Sequence, residues 1–240
     1  MGMAVVSGGG TGIGAATAQA LAGSGFDVTI IGRRADVLAA TAARLSVATG
    51  ARIFPVAADL SSPADVERAA DRIGSVDVLV NAAGGYRARA EDDLAAIAEQ
   101  WRTNFEANVL TAVLLTEALK PRLTRPGASV ILFSSIAAQR GGGGPYSAAK
   151  AALHGWLYDL SRELGPDGVT VNVISPGYVA ETEFFGDRMT PQGHADRVSQ
   201  TLVGRAGAPD DIADAVRYLI DARYVTGQII GVNGGSVLGR

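Results

Sequence analysis

The chain contains no cysteine, which excludes disulfides, thiolate catalysis and cysteine-ligated metals together. Lysine is almost missing as well. Only Lys120 and Lys150 occur among 21 basic residues, so a lysine that persists invites a reason. The two histidines, His154 and His194, have no carboxylate at ligand spacing, which argues against a metal site. No apolar run approaches the ~20 residues of a membrane span, and Met1 leads into a strand-like run without the basic and apolar leader of a secretion signal. The formal net charge is −3, which leaves no basic face for nucleic acid. What remains, 240 residues with 48% hydrophobic and 19% charged, suffices for one large buried core. The expectation is a cytoplasmic, single-domain globule spanning 1–240.

Short β-branched runs alternate with longer Ala/Leu-rich amphipathic stretches. The strand candidates are 3–7, 27–32, 52–58, 76–81, 128–134, 169–175 and 228–232. Each is a nearly continuous apolar run, as expected of strands covered on both faces. Helix candidates lie near 12–24, 35–49, 63–74, 91–123, 145–165 and 209–221. Pro63 and Pro209 stand at first helical positions, where the missing N–H costs nothing. The alternation predicts an α/β fold: a doubly wound parallel sheet of about seven strands with right-handed crossovers and helices on both faces. Segment 176–208 is too long for a plain connection and is a candidate substrate lid.

The first strand runs into SGGGTGIGAATAQAL, where Gly8, Gly12 and Gly14 follow a G-x-x-x-G-x-G spacing. At a strand-to-helix junction such glycines allow a tight turn and bring a pyrophosphate to the positive end of the helix. With 31 glycines in the chain, spacing alone is weak; placement after the first strand is what points to a dinucleotide. A tight turn without a ligand is the plain alternative. No Gly-Lys-Ser/Thr follows, which disfavours a nucleoside-triphosphate loop. The second strand ends in Arg33 and Arg34, and the first acid, Asp36, already belongs to the next helix. An acid at the strand end would bind the ribose 2′-hydroxyl of NAD, whereas arginine accommodates a 2′-phosphate. NADP(H) is therefore favoured over NAD(H), with solvent-facing arginines as the competing explanation.

Tyr146 and Lys150 stand four apart at the start of a helix candidate and share a face. A phenol of ordinary pKa is a poor acid–base catalyst at neutral pH. A nearby ammonium stabilises the phenolate and is expected to lower that pKa. Six tyrosines and two lysines in 240 residues would give such a pair by chance roughly 0.05 times. Gly141 to Gly144 precede the helix, and Pro145 opens it at a fixed φ. The four glycines read as a turn kept clear where substrate enters, expected to tighten when cofactor binds.

In combination, SGGGTGIG near the start, NAAG at 81–84, Ser135 with Tyr146-x-x-x-Lys150, and SPG at 175–177 resemble the short-chain dehydrogenase/reductase family. The resemblance runs in order over nearly the whole chain, to VNGG at 232–235. It implies a Rossmann-fold oxidoreductase that interconverts a carbonyl compound and a secondary alcohol with NAD(P). By position, Tyr146 would be the general acid/base, and Lys150 would lower its pKa and bind the nicotinamide ribose. Ser135 would bond the substrate oxygen. Asn108, seven residues after Trp101, would hold a proton-relaying water; Asn104 competes for that role. The cofactor would lie along Gly8, Gly10, Thr11, Gly12, Ile13 and Gly14, with Arg33 and Arg34 at its adenosine end. Asp59 and Leu60 would approach the adenine, and Asn81, Ala82, Ala83 and Gly84 would flank the adenosine ribose. Val179 and Thr182 would meet the carboxamide, with Pro176 and Gly177 beside them. Family members are commonly homo-oligomers, often tetramers, and the helices near 91–123 and 145–165 would form the contacts.

Three positions depart from the family pattern. Ser7 replaces a common threonine, the interval from Ser135 to Tyr146 is a couple of residues short, and Thr182 comes one position late. Within the family, a 3-oxoacyl-carrier-protein reductase is the named alternative. It needs a basic docking patch at the mouth of the site, for which Arg122, Arg125 and Arg140 are the candidates. A non-catalytic dinucleotide-sensing regulator is the alternative of another class, and a poised phenol argues against it. Ser134-Ser135 lacks the G-x-S-x-G elbow of a serine hydrolase. His154 reads as a packing or contact residue and His194 as a solvated one. Phe184 and Phe185 either cap an apolar substrate or bury the empty lid.

Overall fold

The computed structural model describes residues 2–88, 92–184, 186 and 189–239. Its strands are β1 (Met3–Ser7), β2 (Asp27–Gly32), β3 (Ile53–Ala57), β4 (Val78–Asn81), β5 (Ser129–Phe133), β6 (Thr170–Pro176) and β7 (Ile229–Val232). They pair in parallel in the order β3-β2-β1-β4-β5-β6-β7. Ser7 lies beside Ile31 of β2 on one side and beside Asn81 of β4 on the other. The chain thus leaves β1 toward one edge and later returns to build the other. That reversal opens a crevice at the carboxyl ends of β1 and β4, where doubly wound sheets take their ligands. Pro55 falls in β3, an outermost strand, where a missing donor is tolerated.

The helices are α1 (Gly12–Gly23), α2 (Ala35–Thr49), α3 (Pro63–Ala70), α4 (Leu94–Phe105), α5 (Thr111–Leu119), α6 (Ala137–Arg140), α7 (Pro145–Leu164), α8 (Pro191–Ser199) and α9 (Pro209–Asp221). Neighbouring strand residues point to opposite faces, and the core divides accordingly. Val6, Ile30, Val80 and Ile131 pack with Leu21, Leu45, Val216 and Leu219 of α1, α2 and α9. Val5, Leu79, Val130 and Leu132 pack with Val66, Leu115, Leu157 and Leu160 of α3, α5 and α7. Each such side chain contributes about 1.5–3 kcal/mol on burial, which is why both faces of these strands are apolar. Among the described residues, no helix is long and apolar enough to cross a membrane.

Several boundaries differ from the sequence expectation. The helix expected over 91–123 is interrupted: α4 ends at Phe105, a π-helical turn runs over Glu106–Leu110, and α5 ends in a 3-10 turn at Lys120–Arg122. Asn108 sits inside the π turn and donates to the Asn104 carbonyl, a side-chain competitor for the backbone ladder. The helix over 63–74 stops at Ala70. Segment 176–208 holds α8, whose start is a Thr-Pro signal of the Ser62-Pro63 kind: Thr190 Oγ1 accepts from Gly193 N at 3.0 Å and Pro191 follows. The short α6 fills part of the interval between Ser135 and Tyr146 and ends at Gly141.

Gly14 fixes how closely α1 crosses the end of β1. A Cβ there would stand 2.2 Å from the Gly8 carbonyl oxygen, and its nearest neighbours are all backbone atoms of Gly8 and Gly9, with no flexible side chain to yield. Gly14→Ala is expected to destabilise the fold by about 1–3 kcal/mol, read as a lowered calorimetric unfolding midpoint. An unchanged midpoint would mean that the turn relaxes freely.

Candidate active site

The crevice is bounded first by the turn after β1. Ser7 Oγ accepts from the amides of Ala82 and Ala83, both at 3.0 Å, and so ties the loop after β4 to β1. A hydroxyl is what this contact requires, and serine supplies it where threonine is common. Thr41 Oγ1 donates to the Gly10 carbonyl at 2.8 Å and steadies the turn from α2. Thr11 precedes α1 without a side-chain cap, and the first turn carries no acid, so its amides and positive end face the crevice uncompensated. This donor set fits a pyrophosphate. Asn81 donates to Thr116 Oγ1 at 2.9 Å while its buried Oδ1 has no protein partner.

The far wall comes from the end of β6. Gly177 N donates to Val232 O and Pro176 O accepts from Ile136 N. The Val179 side chain is buried in the core beside β6, so its backbone is what it offers to the crevice. Thr182 Oγ1 donates to Val179 O at 3.4 Å, and the Thr182 methyl stands over Gly12, where a Cβ would meet it at 3.4 Å. Thr182 is thereby placed at the N-terminus of α1 despite its late sequence position.

At the other end, β2 stops at Gly32 and the exposed Arg33 and Arg34 precede α2. Asp59 accepts from Ser61 N at 3.0 Å and Ser61 Oγ at 2.7 Å; these bonds, with the Arg33 charge, hold its carboxyl below the usual range. Leu60 is buried against α3. Arg34 does not simply face solvent: its guanidinium pairs with Glu183 at 2.7 Å.

Helix α7 carries Tyr146 and Lys150. Gly141, Gly142 and Gly144 have φ of 76°, 91° and 54°, so the four-glycine run is a turn that other residues would strain, rather than slack chain. Pro145 then opens α7. Tyr146 is 9% exposed and Lys150 5%, with the ammonium 5.9 Å from the phenol ring centre. Ser135 is the side chain beside the Tyr146 phenol that opposes the rise of its pKa. Lys150 Nζ donates to Phe133 O at 2.8 Å, and the Lys150 carbonyl accepts from Ser134 Oγ at 2.9 Å. Gly84 lies directly above: a Cβ there would meet Asn108 Oδ1 at 2.6 Å and Lys150 Nζ at 3.1 Å. Asn108 is therefore the asparagine beside Lys150, and it clasps Gly85 through N–H to Oδ1 at 2.9 Å and Nδ2–H to O at 2.8 Å. Asn104 instead clasps Arg87, at 3.1 and 2.8 Å.

One electrostatic expectation is overturned. In the protein alone the Tyr146 phenol lies above its ordinary value rather than below it. Burial pushes the phenol up to about 12, with the Ser135 side chain opposing that rise. Burial likewise pulls Lys150 down to about 8, because desolvation disfavours the charged form of each group.

The remaining candidates find partners. Ser134 gives its one proton to Lys150 O, so His154 Nε2, 2.8 Å from Ser134 Oγ, must be the donor; burial lowers the pKa of His154. His154 thus braces the serine strand from within α7. His194 Nδ1 bonds the buried Tyr178 hydroxyl at 2.8 Å, which places it in a contact between α8 and the end of β6 rather than in solvent. Phe184 packs on Tyr146, ring centres 5.5 Å apart, while Phe185 lies outside the described residues. Two of the docking arginines are misplaced for that role. Arg122 pairs with Asp71 and Arg125 with Asp167, both just before β5 and therefore at the opposite end of the sheet from the crevice. Arg140 bonds Gln200 at 2.8 Å.

Lys150 yields a pH signature. Its folded value lies below the ordinary 10.5, so the unfolded chain holds the proton more tightly and stability rises from about pH 8 toward 10.5. Below about pH 8 the buried ammonium is a cost. Lys150→Met is expected to stabilise the ligand-free protein by about 1–2 kcal/mol at pH 7, measured by urea unfolding, with the gain shrinking above pH 8. A gain that is constant with pH would contradict the burial argument.

Comparison with known proteins finds relatives over nearly the whole chain. A family profile described as enoyl-(acyl carrier protein) reductase matches residues 8–236. The short-chain reductase protein NovJ of Streptomyces niveus is 37% identical over 250 residues, covering 97% of this chain and 93% of that protein. The 3-oxoacyl-[acyl-carrier-protein] reductase FabG of Escherichia coli is 33% identical, covering 97% and 96%. A short-chain dehydrogenase of Burkholderia cenocepacia, solved in complex with NADP, superposes with a TM-score of 0.88 at 33% identity over 98% of this chain and 97% of that one. With its glycine turn at a seven-stranded parallel sheet, the chain belongs to the short-chain dehydrogenase/reductase family, NAD(P)-dependent oxidoreductases acting on carbonyl or CH–OH groups.

Proposed function

We propose that the protein is an NADP(H)-dependent reductase of ketones, or dehydrogenase of the matching secondary alcohols, in which Tyr146 moves the proton. The observation that carries this reading is the buried Tyr146 phenol, beside Ser135 and four residues from Lys150, at the carboxyl ends of the strands. When bound, the nicotinamide cofactor supplies or accepts the hydride. A phenol near 12 is fully protonated at neutral pH, so Tyr146 is a proton donor to a developing alkoxide on the reducing side. The Ser135 hydroxyl would share that oxygen and stabilise its charge. Lys150 would bond the nicotinamide ribose hydroxyls, and Asn108, which lies beside it, would hold the relay water.

NADP is preferred on the pair Arg33 and Arg34 at the end of β2, with no acid before Asp36 in the first turn of α2. The rest of the nucleotide would lie along Gly8, Gly10, Thr11, Gly12, Ile13 and Gly14, past Asp59, Leu60 and Asn81 to Gly84, to Pro176, Gly177, Val179 and Thr182. Residues 1–240 would form a cytoplasmic single domain with 176–208 as its lid. The stacked, exposed Trp101 and Phe105 of α4, with exposed Tyr158 on α7, offer an apolar face for a homo-oligomer.

Two measurements test this reading. Fluorescence titration should show NADPH binding about ten- to a hundred-fold tighter than NADH, from charge-assisted bonds to a 2′-phosphate; tighter NADH binding would sink the arginine argument. Tyr146→Phe should slow NADPH oxidation with a panel of ketones by about 10²–10⁴-fold while cofactor affinity stays within about twofold. Retained turnover would remove the tyrosine from the mechanism.

A further inference from the structure

Adjacent residues of the segment after β6 reach both ends of the crevice at once. Glu183 pairs with Arg34 at 2.7 Å, and Phe184 packs its ring on Tyr146, 5.5 Å between centres. Thr182 joins the same grip by standing over Gly12. Just before them, Glu181 has φ of 58°, a left-handed conformation that strains a residue bearing a Cβ. Such strain persists only where the surrounding contacts hold it, and the contacts that follow it are those of Thr182, Glu183 and Phe184.

We propose that Glu183 is a specificity-determining residue that senses the 2′-phosphate: its carboxylate occupies Arg34 until a phosphate takes its place, and its release lets Phe184 leave Tyr146. The inference rests on the reading of Arg34 as part of a 2′-phosphate site. The chemistry is an exchange of anions on one guanidinium. A carboxylate offers one negative charge, whereas a phosphate monoester offers nearly two and three acceptor oxygens, so phosphate wins at Arg34. NADH has only a 2′-hydroxyl and leaves the pair intact. Glu183 thus separates the two cofactors twice, by competing for Arg34 and by leaving the phenol covered when the wrong one binds. Arg34 and Glu183 side chains are 55% and 61% exposed, so the pair is weak and exchangeable rather than a permanent brace.

The test is titration of the full-length protein with NADPH and with NADH, in the wild type, Glu183→Gln, Glu183→Asp and Arg34→Ala. Glu183→Gln is expected to tighten NADPH about two- to fivefold and to leave NADH unchanged, with Glu183→Asp close to wild type. Phe184→Ala should raise NADH-supported turnover, on a ketone the wild type reduces, relative to NADPH-supported turnover. If Arg34→Ala weakens NADPH but Glu183→Gln changes neither affinity, the sensing role is overturned and the NADP reading stands. Equal tightening of both cofactors in Glu183→Gln also overturns it, since loss of a general negative charge would act on the shared pyrophosphate. If Arg34→Ala leaves NADPH binding intact, the 2′-phosphate site at Arg34 and the sensing role fall together.

Discussion

The crevice depends on one double tie between α7 and the end of β5. Lys150 Nζ donates to Phe133 O, and the Lys150 carbonyl accepts from Ser134 Oγ. A side chain and a main-chain group of one residue thus engage two consecutive strand residues, which fixes both the height and the rotation of α7 against the sheet. Tyr146 lies one helical turn before Lys150, and Ser135 directly follows Ser134, so the tie also sets the phenol against the serine hydroxyl. A charged group buried with one carbonyl is costly. That cost helps explain why a chain that elsewhere uses arginine, Lys120 apart, keeps a lysine here: an ammonium on a flexible stem reaches one carbonyl where a planar guanidinium would need several acceptors.

The opposite wall is held by the same kind of device. Ser7 clasps Ala82 and Ala83, Asn108 clasps Gly85, and Asn104 clasps Arg87, so successive parts of the loop after β4 are pinned by polar side chains. A loop without secondary structure has backbone groups to satisfy, and these side chains satisfy them in fixed positions. Asn104 and Asn108 both also donate to helical carbonyls four residues earlier. The π turn around Asn108 is the local deformation that accompanies this. Such insertions concentrate at functional sites, and here the deformed turn lies beside Lys150.

The sheet was legible because burial on both faces writes itself into composition. Val5 and Val6 go to opposite cores, and neither position tolerates a polar residue, so the strand candidates match β1 to β7 within about two residues. The Tyr-Lys pair and the glycine turn were legible through spacing, since each needs particular residues at fixed helical or turn offsets. The break of the helix at 91–123 was not, because its cause is the asparagine side chains gripping a loop distant in sequence. Thr182 was doubtful on spacing, yet the fold carries it to Gly12, because the bridge between Val179 and Gly207 sets the path of the chain there. The Thr190-Pro191 start of α8 was a signal in plain view, of the same form as Ser62-Pro63. The position of Arg122 and Arg125 was legible too: in a parallel sheet a connection from helix to strand lies at the amino ends of the strands, away from the crevice.

The pKa values reverse their ordinary order in the protein alone, and that reversal bears on how the site is made active. In water the phenol and the ammonium titrate at nearly the same pH. Burial separates them, to about 12 for Tyr146 and about 8 for Lys150. Raising the pH would therefore strip the lysine first and leave both groups neutral, never an ammonium beside a phenolate. A phenolate at neutral pH requires something to restore the cation, and among the described residues Lys150 Nζ donates to Phe133 O. Further hydroxyl acceptors at Nζ would raise Lys150, bring a full charge near the phenol and pull Tyr146 down. On the proposed role of Tyr146, the reducing direction would need no such help, because a protonated phenol is already the required acid. Proton abstraction from an alcohol would instead be coupled to whatever fills the space beside Lys150, so burial would make the reverse reaction conditional on an occupied crevice.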